Sequence, residues 1–356
     1  MQILSIDVGT GTQDILLYDT KKGMENSPVM IMPSPTVMVA DKIRKATSQG
    51  IDIVLTGYIM GGGPSTKAVK DHLKKGLNVY ATENAALTIN DDPDKIRSMG
   101  VKIIDEYGLK SLPENLQRIN LQDLILDEIK NAFYQFGITA PSKFAVAVQD
   151  HGYSPESSNR VYRFKHFENA IQEGGGIEQF SYKNNDIPPY LTRLMDASRI
   201  IGGTQSVFMD TGPAAIFGSL KDSNSYQPSL VVNIGNGHTL GALVVDNKVV
   251  ALFEHHTSQL TPSRLQDYII RLSEGDLTFE EIFNDKGHGC YIDRKIGFDN
   301  INSVMVTGPR REMIQNLDNY DKHPKLWDKL HFAAPFGNMM LTGCFGLISA
   351  YCYHYE

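Results

Sequence analysis

Two glycine turns in this sequence have the residue types that bind phosphate groups. The first lies in the segment IDVGTGTQDILLYD, Ile6–Asp19, and the second in VNIGNGHTLGALVVD, Val232–Asp246. Each segment places a short apolar run first, then Asp7 or Asn233, and then a G-x-G turn. Glycines permit a tight backbone path in which successive N–H groups point into one concavity and stabilise a negatively charged phosphate. One such turn usually does no more than reverse the chain, but two matched copies predict a polyphosphate site.

Asp7 is the candidate ligand for a magnesium ion that would accompany such a phosphate. Mg²⁺ prefers oxygen ligands and retains waters, so a carboxylate at this position can hold it through water. The alternative interpretation is an Asp at a strand end that makes a turn hydrogen bond. Two other phosphate-binding motifs are excluded. The dinucleotide fingerprint needs a third glycine where Asp14 stands, and neither turn carries the Gly-Lys-Ser/Thr of a Walker A loop.

The elements that position the two turns also correspond. Short apolar runs at Leu4–Val8 and Leu230–Ile234 predict a buried strand before each turn, and each hairpin continues into a third strand and a helix. The predicted helices are Thr36–Ser48 and Pro262–Ser273, the second with Thr261 as its N-cap and a proline in its first position.

Further strands are expected at Asp52–Thr56 and Ser303–Thr307, where they would complete two β-β-β-α-β units at the two ends of the chain. A large α/β insertion is expected between them, at about residues 57–224. The predicted N-terminal lobe is therefore residues 1–224, with the first phosphate hairpin at 3–19. The predicted C-terminal lobe is residues 225–356, with the second hairpin at 230–246.

This arrangement resembles the superfamily of actin, heat-shock chaperone ATPases and sugar kinases. The resemblance rests on DVGTGT in the first hairpin, NIGNG in the second, and SVMVTGPRR at Ser303–Arg311, which is similar to the adenosine motif of that superfamily. It implies an α/β, duplicated ribonuclease H-like fold with two lobes around a central cleft, and ATP with Mg²⁺ as cofactors. The residues it places around the nucleotide are Gly9, Thr10, Gly11, Thr12, Gln13, Asn233, Gly235, Asn236, Gly237, His238, Thr307, Gly308 and Arg310.

Departures from the superfamily pattern bear on turnover. Asn233 stands where the second hairpin usually carries Asp, and Gln13 with Asp14 where the first often carries Lys or Arg. Asn keeps the shape of Asp but cannot act as a base or lend charge to Mg²⁺. The resemblance itself implies phosphoryl transfer to, or ATP-dependent activation of, a small-molecule acceptor. The alternatives are a nucleotide-responsive regulator with slow or no turnover, and a scaffold that keeps the fold without a nucleotide.

Two Asp residues are candidate general bases for such a transfer. The segment Ser206–Leu220 resembles the sugar-kinase segment in which an Asp, here Asp210, takes the proton from the acceptor hydroxyl. Asp150, within Gln149–Gly152 at the end of an apolar strand, could do the same if it faces the cleft. The structural alternatives are a helix cap for Asp210 and a turn residue for Asp150.

The chain is also similar to a prokaryotic family sometimes labelled pyruvate formate-lyase activating enzyme. That activity, in its known form, uses a radical iron–sulfur cluster held by C-x₃-C-x₂-C. The three cysteines here, Cys290, Cys344 and Cys352, lie 54 and 8 residues apart, so a radical iron–sulfur enzyme is not expected. His288 and Cys290 could face one side of a strand, but no second ligand pair accompanies them, and no metal site is predicted there.

Composition and charge exclude other classes of protein. The 356 residues are 41% hydrophobic and 21% charged, which is ordinary globular usage. Thirty-four Lys and Arg against 41 Asp and Glu give a net charge of -7, so no nucleic-acid partner is expected. Few cysteines and no targeting segment predict a cytoplasmic protein. The uncharged stretch Phe332–Tyr353 is long enough to span a bilayer, but its Pro335 and glycines predict a buried helix at Gly337–Ala350 and no membrane partner.

Overall fold

The computed structural model describes residues 1–154, 158–203, 205–315 and 323–356, and within these ranges the chain is mixed α/β. Its strands are β1 (Gln2–Val8), β2 (Thr12–Asp19), β3 (Val29–Pro33), β4 (Ile53–Gly57), β5 (Val79–Thr82), β6 (Val101–Ile104), β7 (Gln117–Leu121), β8 (Phe144–Val148), β9 (Ser181–Lys183), β10 (Ser206–Met209), β11 (Ser229–Ile234), β12 (His238–Val245), β13 (Lys248–His256), β14 (Gly289–Ile292), β15 (Ser303–Thr307) and β16 (Leu330–Phe332). Its helices are α1 (Pro35–Gln49), α2 (Gly63–Lys74), α3 (Glu83–Ala86), α4 (Pro93–Ser98), α5 (Glu106–Ser111), α6 (Leu126–Gln135), α7 (Asn159–Gln172), α8 (Thr192–Ile201), α9 (Thr211–Ser219), α10 (Pro262–Glu274), α11 (Phe279–Asn284), α12 (Pro324–Lys329) and α13 (Thr342–Tyr355).

The N-terminal sheet has the strand order β3-β2-β1-β8-β10-β9. Strands β1, β2 and β3 form an antiparallel meander, whereas β1, β8 and β10 run parallel. Strand β1 is covered on both faces, because Leu4 and Ile6 pack in one hydrophobic cluster and Ile3 in another. Side chains alternate along a strand, so Asp7 at the carboxyl end of β1 shares the face of Ile3 and Ser5. That face is covered by α13, whose Cys344 carbonyl accepts the hydroxyl of Ser5.

The C-terminal sheet repeats this topology with the order β14-β13-β12-β11-β15-β16. Strands β11, β12 and β13 are antiparallel, and β11, β15 and β16 are parallel. If the edge strands β9 and β14 are left out and the other five strands of each sheet are numbered in chain order, both sheets have the order 3-2-1-4-5. This is the ribonuclease H-like arrangement present twice, and it confirms the expected fold class. The expected cap of α10 is also present, since Thr261 accepts the N–H of Arg264.

The strand expected at Asp52–Thr56 to complete the N-terminal unit belongs to another sheet. Strand β4 pairs with β5 and β7 in a four-stranded parallel sheet of order β6-β5-β4-β7, and the place beside β1 is taken by β8. The expectation was wrong because β4 and β8 are both short apolar runs, and a local pattern does not encode the partner of a parallel strand. The separate sheet with α1 to α5 forms an inserted unit at residues 35–121. The limits of about 57–224 expected for the whole insertion stay a prediction. The lobe limits at residues 224 and 225 stay a prediction.

Two helices cross between the lobes. Helix α9 leaves the N-terminal sheet and packs on β11 and β15, whereas α13 packs on β1, β8 and β10. The helices approach closely, since a Cβ at Gly218 would lie 1.8 Å from the Thr342 carbonyl oxygen and one at Gly346 would lie 2.0 Å from that of Ala214. Helix α13 begins at Thr342, five residues after the expected start, because Gly337 has a φ of 78° and interrupts the helical path. No helix within the described ranges is long and apolar enough to cross a membrane.

Candidate functional site

A cavity of about 900 Å³ lies between the two lobes and is lined by both glycine hairpins. The hairpin tips meet, because a Cβ at Gly11 would lie 2.6 Å from Asn236 Nδ2 and one at Gly237 would lie 3.3 Å from Thr10 Oγ1. Two turns that are distant in sequence therefore face each other across one cleft. The expected site residues that line this cavity are Asp7, Gly9, Thr10, Gly11, Thr12, Asp150, Asn233, Gly235, Asn236, Gly237, His238, Thr307 and Gly308.

The two hairpins are closed by equivalent backbone hydrogen bonds. The N–H of Gly9 donates to the Thr12 carbonyl over 2.9 Å, and the N–H of Gly235 donates to the His238 carbonyl over 3.0 Å. A Cβ at Gly235 would lie 2.8 Å from that His238 oxygen, so the second turn needs glycine for this close approach. The glycines identified in the sequence thus shape the turns.

The tips of the hairpins present backbone donors to the cavity. Among the described residues, the N–H groups of Thr10, Gly11, Asn236 and Gly237 donate to no acceptor. The carbonyl groups of Thr10 and Gly11 are held on the outside of the first turn by Ser34. Adjacent unpaired N–H groups in a turn form a concavity that attracts anions. The unpaired N–H groups of each tip therefore fit an anion.

Asp7 and Asp14 lie opposite each other on β1 and β2. Each carboxylate has one buried oxygen, Oδ1, with no hydrogen-bond partner among the described residues. Burial is the main cause that raises the pKa of Asp7 to about 8, and the charge of Asp14 is the second. Burial also raises the pKa of Asp14 to about 7. Two buried carboxyl groups with free oxygen atoms are a donor set that fits a divalent cation, which would favour both in the charged form.

Gln13, Asp210 and Arg310 do not line the cavity, although the sequence suggested that they would. Side chains alternate along β2, so Gln13 lies on the face opposite to Asp14, where its Nε2 donates to the Pro33 carbonyl over 3.0 Å. Arg310 lies on the surface beyond the turn after β15. The sequence-based contacts of Gln13 and Arg310 with a nucleotide are therefore not supported by this arrangement.

Thr307 and Gly308, from the motif that includes Arg310, do line the cavity. Gly308 has a φ of 95°, and a Cβ there would lie 2.5 Å from the Ile234 carbonyl oxygen and 2.6 Å from Asn233 Oδ1. The turn after β15 thus packs directly on the second hairpin and needs glycine there.

Asp210 is fully engaged by neighbouring donors. As the N-cap of α9, its Oδ1 accepts the N–H of Gly212 over 2.9 Å. The carboxylate also accepts two hydrogen bonds from Arg163, at 2.7 and 3.0 Å, and the N–H of Asp150 at 2.7 Å. Four donors occupy the four lone-pair positions of a carboxylate. The geometry matches the cap interpretation, and a role for Asp210 as a base stays a prediction.

Arg163, on α7, was not identified from the sequence and joins the two lobes. Its five N–H donors are all used, two on Asp210, one on the Asp150 carbonyl at 2.6 Å, and two on Glu254 of β13 at 2.7 and 2.9 Å. The guanidinium is only 2% exposed. Burial alone would lower the pKa of Arg163, but the charges of Asp210 and Glu254 raise it. Burial alone would raise the pKa of Glu254, but the charge of Arg163 holds it well below its ordinary value. No local motif marks Arg163, because its partners come from distant segments.

Asp150 lines the cavity at the end of β8, as expected, but its carboxylate is held by the backbone. It accepts the N–H of Gly152 at 2.9 Å and the N–H groups of Arg193 and Leu194, at 2.8 and 3.0 Å, in the first turn of α8. Burial raises its pKa to about 6 despite these bonds. Asp150 is therefore near the cleft and mostly neutral below this pH, with its oxygen atoms directed toward α8.

The inserted unit supplies a further wall of the cavity. The segments 61–63 and 90–93 of this unit line the cavity together with Asp123. The N–H of Gly61 donates to Asp123 Oδ1 over 2.9 Å, and the same carboxylate forms a two-point ion pair with Arg193 at 2.7 and 2.9 Å. The ion pair ties the loop before α2 to α8 of the N-terminal lobe.

A protein-family model described as "Putative pyruvate format-lyase activating enzyme (DUF1786)" matches residues 60–313. No curated protein matches the sequence. Similar solved structures include a Listeria monocytogenes protein described as "a putative N-acetylmannosamine kinase", with 11% identity, 100% of each chain covered and a TM-score of 0.40.

Two further solved structures contain nucleotide analogues. MreB 5 of Spiroplasma citri bound to AMPPNP has 11% identity and a TM-score of 0.36, with 98% of this chain and 95% of that chain covered. The activator of the 2-hydroxyisocaproyl-CoA dehydratase from Clostridium difficile with bound ADPNP has 8% identity and a TM-score of 0.28, with 99% and 95% covered. At such scores the fold class rests on the strand order of the two sheets rather than on these alignments.

Proposed function

This chain belongs to the DUF1786 family, and from that premise we propose that it binds ATP with Mg²⁺ between its lobes and uses it for phosphoryl transfer to, or ATP-dependent activation of, a small-molecule acceptor. The observation that carries the proposal is the meeting of two glycine turns with unpaired N–H groups and two partly unpartnered carboxylates in one cavity of about 900 Å³. That volume is within the range of small-molecule sites.

The radical iron–sulfur chemistry that the known form of this activity uses is not part of the proposal. Cys290 lies in β14 and the other two cysteines lie on α13. Cys344 and Cys352 are eight residues apart, which is about 12 Å along a helix. Cys344 is buried, and its thiol contacts the backbone carbonyls of Ser5 and Asp14. This arrangement offers no set of thiolates for an iron–sulfur cluster.

The phosphates would bind to the backbone of the two hairpins. The free N–H groups of Thr10 and Gly11 lie on one wall and those of Asn236 and Gly237 on the other. Arg163, which also lines the cavity, has all its donors committed to protein acceptors. Backbone dipoles rather than basic side chains would therefore stabilise the phosphate charge, and fixed dipoles need no reorganisation when the ligand arrives.

Asp7 and Asp14 would hold the magnesium ion, directly or through water. The ion would offset negative charge on the phosphates when bound. Helix α13 keeps the Asp7 carboxylate in place, because a Cβ at Gly343 would lie 1.9 Å from Asp7 Oδ2 and only glycine leaves that space. The adenosine would lie along Thr307, Gly308 and Pro309, which line the cavity where the turn after β15 packs on the second hairpin.

A nucleotide-responsive regulator with slow or no turnover is the second candidate. Two observations favour it: Asn233 cannot act as a base, and Asp210 is engaged by four donors. In that case the output would be a change in the relative position of the lobes, which Arg163 links through Asp210 and Glu254. The two candidate functions share the nucleotide site and differ in whether ATP is converted to ADP and the ADP is released in the presence of an acceptor.

Titration calorimetry with ATP, in the presence and absence of Mg²⁺, tests the proposal. We expect wild-type protein to bind ATP–Mg²⁺, and Asp7→Asn to weaken that binding by about tenfold or more, which corresponds to ~1.4 kcal/mol. The same variant should change Mg²⁺-free binding much less, because it removes a cation ligand. Asp41→Asn, an exposed carboxylate on α1, is the matched control.

Lack of ATP binding by the wild-type chain, or wild-type affinity in Asp7→Asn, would contradict the proposed site. Release of ADP in the presence of a small-molecule library then separates the two candidates. Acceptor-dependent ADP release that is lost in Asp210→Asn supports a transferase with that base, whereas nucleotide binding without acceptor-dependent turnover supports the regulator.

A further inference from the structure

Four histidine rings from distant parts of the chain meet on one wall of the cavity. They are His151 after β8, His238 at the start of β12, His256 at the end of β13, and His288 before β14. The ring centroid of His238 lies 4.8 Å from that of His288 and 5.3 Å from that of His151, and His151 and His288 are 5.2 Å apart. No metal-ligand spacing is visible in the sequence, because the first and the last of these histidines are 137 positions apart.

The ring nitrogen atoms of three of these histidines converge. One ligand nitrogen each from His151, His238 and His288 lies within 4.8 Å of the other two. The Nε2 atoms of His238 and His288 are buried and have no hydrogen-bond partner among the described residues. Buried polar atoms are nearly always paired, so two unpaired atoms within one histidine cluster indicate a partner that is not a protein side chain.

The other nitrogen of each buried ring is held in place. His288 Nδ1 lies 2.8 Å from Glu254 Oε2, and His238 Nδ1 lies 2.7 Å from Gln149 Nε2. A metal-binding histidine typically has its second nitrogen hydrogen-bonded to a carboxylate or another polar group, which fixes the ring orientation. By comparison, His166 behaves as a structural histidine, with both nitrogens 3.1 Å from tyrosine hydroxyls of Tyr190 and Tyr182.

We propose that His151, His238 and His288 bind one divalent first-row transition metal ion, with Zn²⁺ as the representative probe, and leave a coordination position open to the cavity. Three imidazoles with an open fourth position are a common catalytic zinc arrangement. Bonds of about 2.1 Å in a tetrahedral site place ligand atoms about 3.4 Å apart, so nitrogens that now lie within 4.8 Å of one another would need to approach by up to about 1.4 Å on binding.

This site differs chemically from the proposed magnesium site. Imidazole nitrogens prefer zinc-like ions, whereas Asp7 and Asp14 offer only the oxygen atoms that Mg²⁺ prefers. The local charges also permit a cation, because Arg163 is flanked by Asp210 and Glu254, and Glu254 extends its carboxylate to His288. Since His238 directly follows the tip of the second hairpin, the metal would lie beside the expected phosphates and could orient an oxygen of the acceptor or a water.

Metal titration of the full chain, without nucleotide, tests the proposal. Protein stripped with a chelator is titrated with Zn²⁺ in competition with a chromophoric chelator. We expect one tightly bound Zn²⁺ per chain and an affinity lower by about 100-fold in His151→Ala. His151 is the informative position, because its imidazole makes no hydrogen bond among the described residues and its loss costs the fold little. His331→Asn, which removes a histidine of β16 outside the cluster, is the matched control and should bind like wild type.

A second measurement identifies the ligands. Co²⁺ bound to the wild-type chain should give the visible absorption of a four-coordinate nitrogen site, and this spectrum should be lost in His151→Ala. The absence of stoichiometric Zn²⁺, or equal affinities of wild type and His151→Ala, overturns the proposal. ATP–Mg²⁺ affinity is measured in separate samples, so a failure of the nucleotide proposal leaves the Zn²⁺ result readable, and the reverse.

Discussion

Replacing Arg163 tests whether a single buried guanidinium holds the two lobes together. Arg163→Met keeps much of the side-chain volume and removes five hydrogen bonds of 2.6 to 3.0 Å, to Asp210, Glu254 and the Asp150 carbonyl. Two carboxylates from opposite lobes would then lose their cation. Asp210 would keep two backbone N–H donors and Glu254 would keep His288.

The magnitude follows from the burial of these charges. Breaking a buried ion pair by removal of one partner costs about 3–5 kcal/mol, chiefly because the remaining charge is left uncompensated. Because Arg163 neutralises two carboxylates, we expect the free energy of unfolding to fall by at least this amount. Arg163→Lys, which keeps the charge but has three donors instead of five, should lose less.

Equilibrium unfolding in urea, followed by far-ultraviolet circular dichroism and by fluorescence, measures the loss. The decisive comparison is Glu254→Gln made in both backgrounds. In the wild-type chain it should destabilise, since it weakens the ion pair with Arg163; in Arg163→Met it should stabilise, since it removes an unpaired buried charge. A loss below about 1 kcal/mol in Arg163→Met, or the same sign for Glu254→Gln in both backgrounds, would refute the reasoning.

Three further results are expected. The raised pKa values of Asp7 and Asp14 mean that the folded, ligand-free protein holds protons that the unfolded chain releases above about pH 4, so its stability falls as the pH rises from about 4 through 8. In denaturant titrations, the free energy of unfolding of Asp7→Asn should therefore rise relative to that of the wild type by about 4 kcal/mol between pH 5 and pH 8. A difference that does not change with pH would contradict this. Burial lowers the pKa of His166 to about 4, so protonation favours the unfolded chain, and up to about 3 kcal/mol should be lost as the pH falls from 6.5 to 4, a loss that His166→Gln should reduce. Gly346→Ala, whose Cβ would lie 2.0 Å from the Ala214 carbonyl oxygen, should cost about 1–3 kcal/mol in thermal unfolding; Gly203→Ala, with no atom within 4 Å of the added Cβ, should cost much less, and equal losses would argue against a close helix crossing.

The parts of the fold that local sequence encodes were predicted well. The hairpins were recognised because a buried strand, a G-x-G turn and a second strand occupy consecutive residues, and β15 lies where Ser303–Thr307 was expected. The strand order beside β1 could not be obtained in this way. Strand β8 pairs with β1 across more than 130 residues, and its apolar sequence resembles that of β4. Which of the two enters the sheet depends on the packing of the whole lobe.

The same difference between local and long-range information applies to the candidate site. The glycine turns and Asp7 could be identified from the sequence because the function proposed for them needs a particular residue within a short motif. The sequence did not reveal Arg163, Glu254 and the histidine cluster, because their partners lie in distant segments that only the fold brings into contact. Asp210 shows a further limit, since its position before a helix of small residues suits both a cap and a base, and only its hydrogen-bond partners favour the cap.

A crystal structure of the chain with a non-hydrolysable ATP analogue and Mg²⁺ tests the central claim most directly. We predict density for the phosphates between the turns at residues 9–12 and 235–238, with the metal ion beside Asp7 and Asp14. Phosphates bound elsewhere on the molecule, or an empty cleft at saturating analogue, would contradict the account.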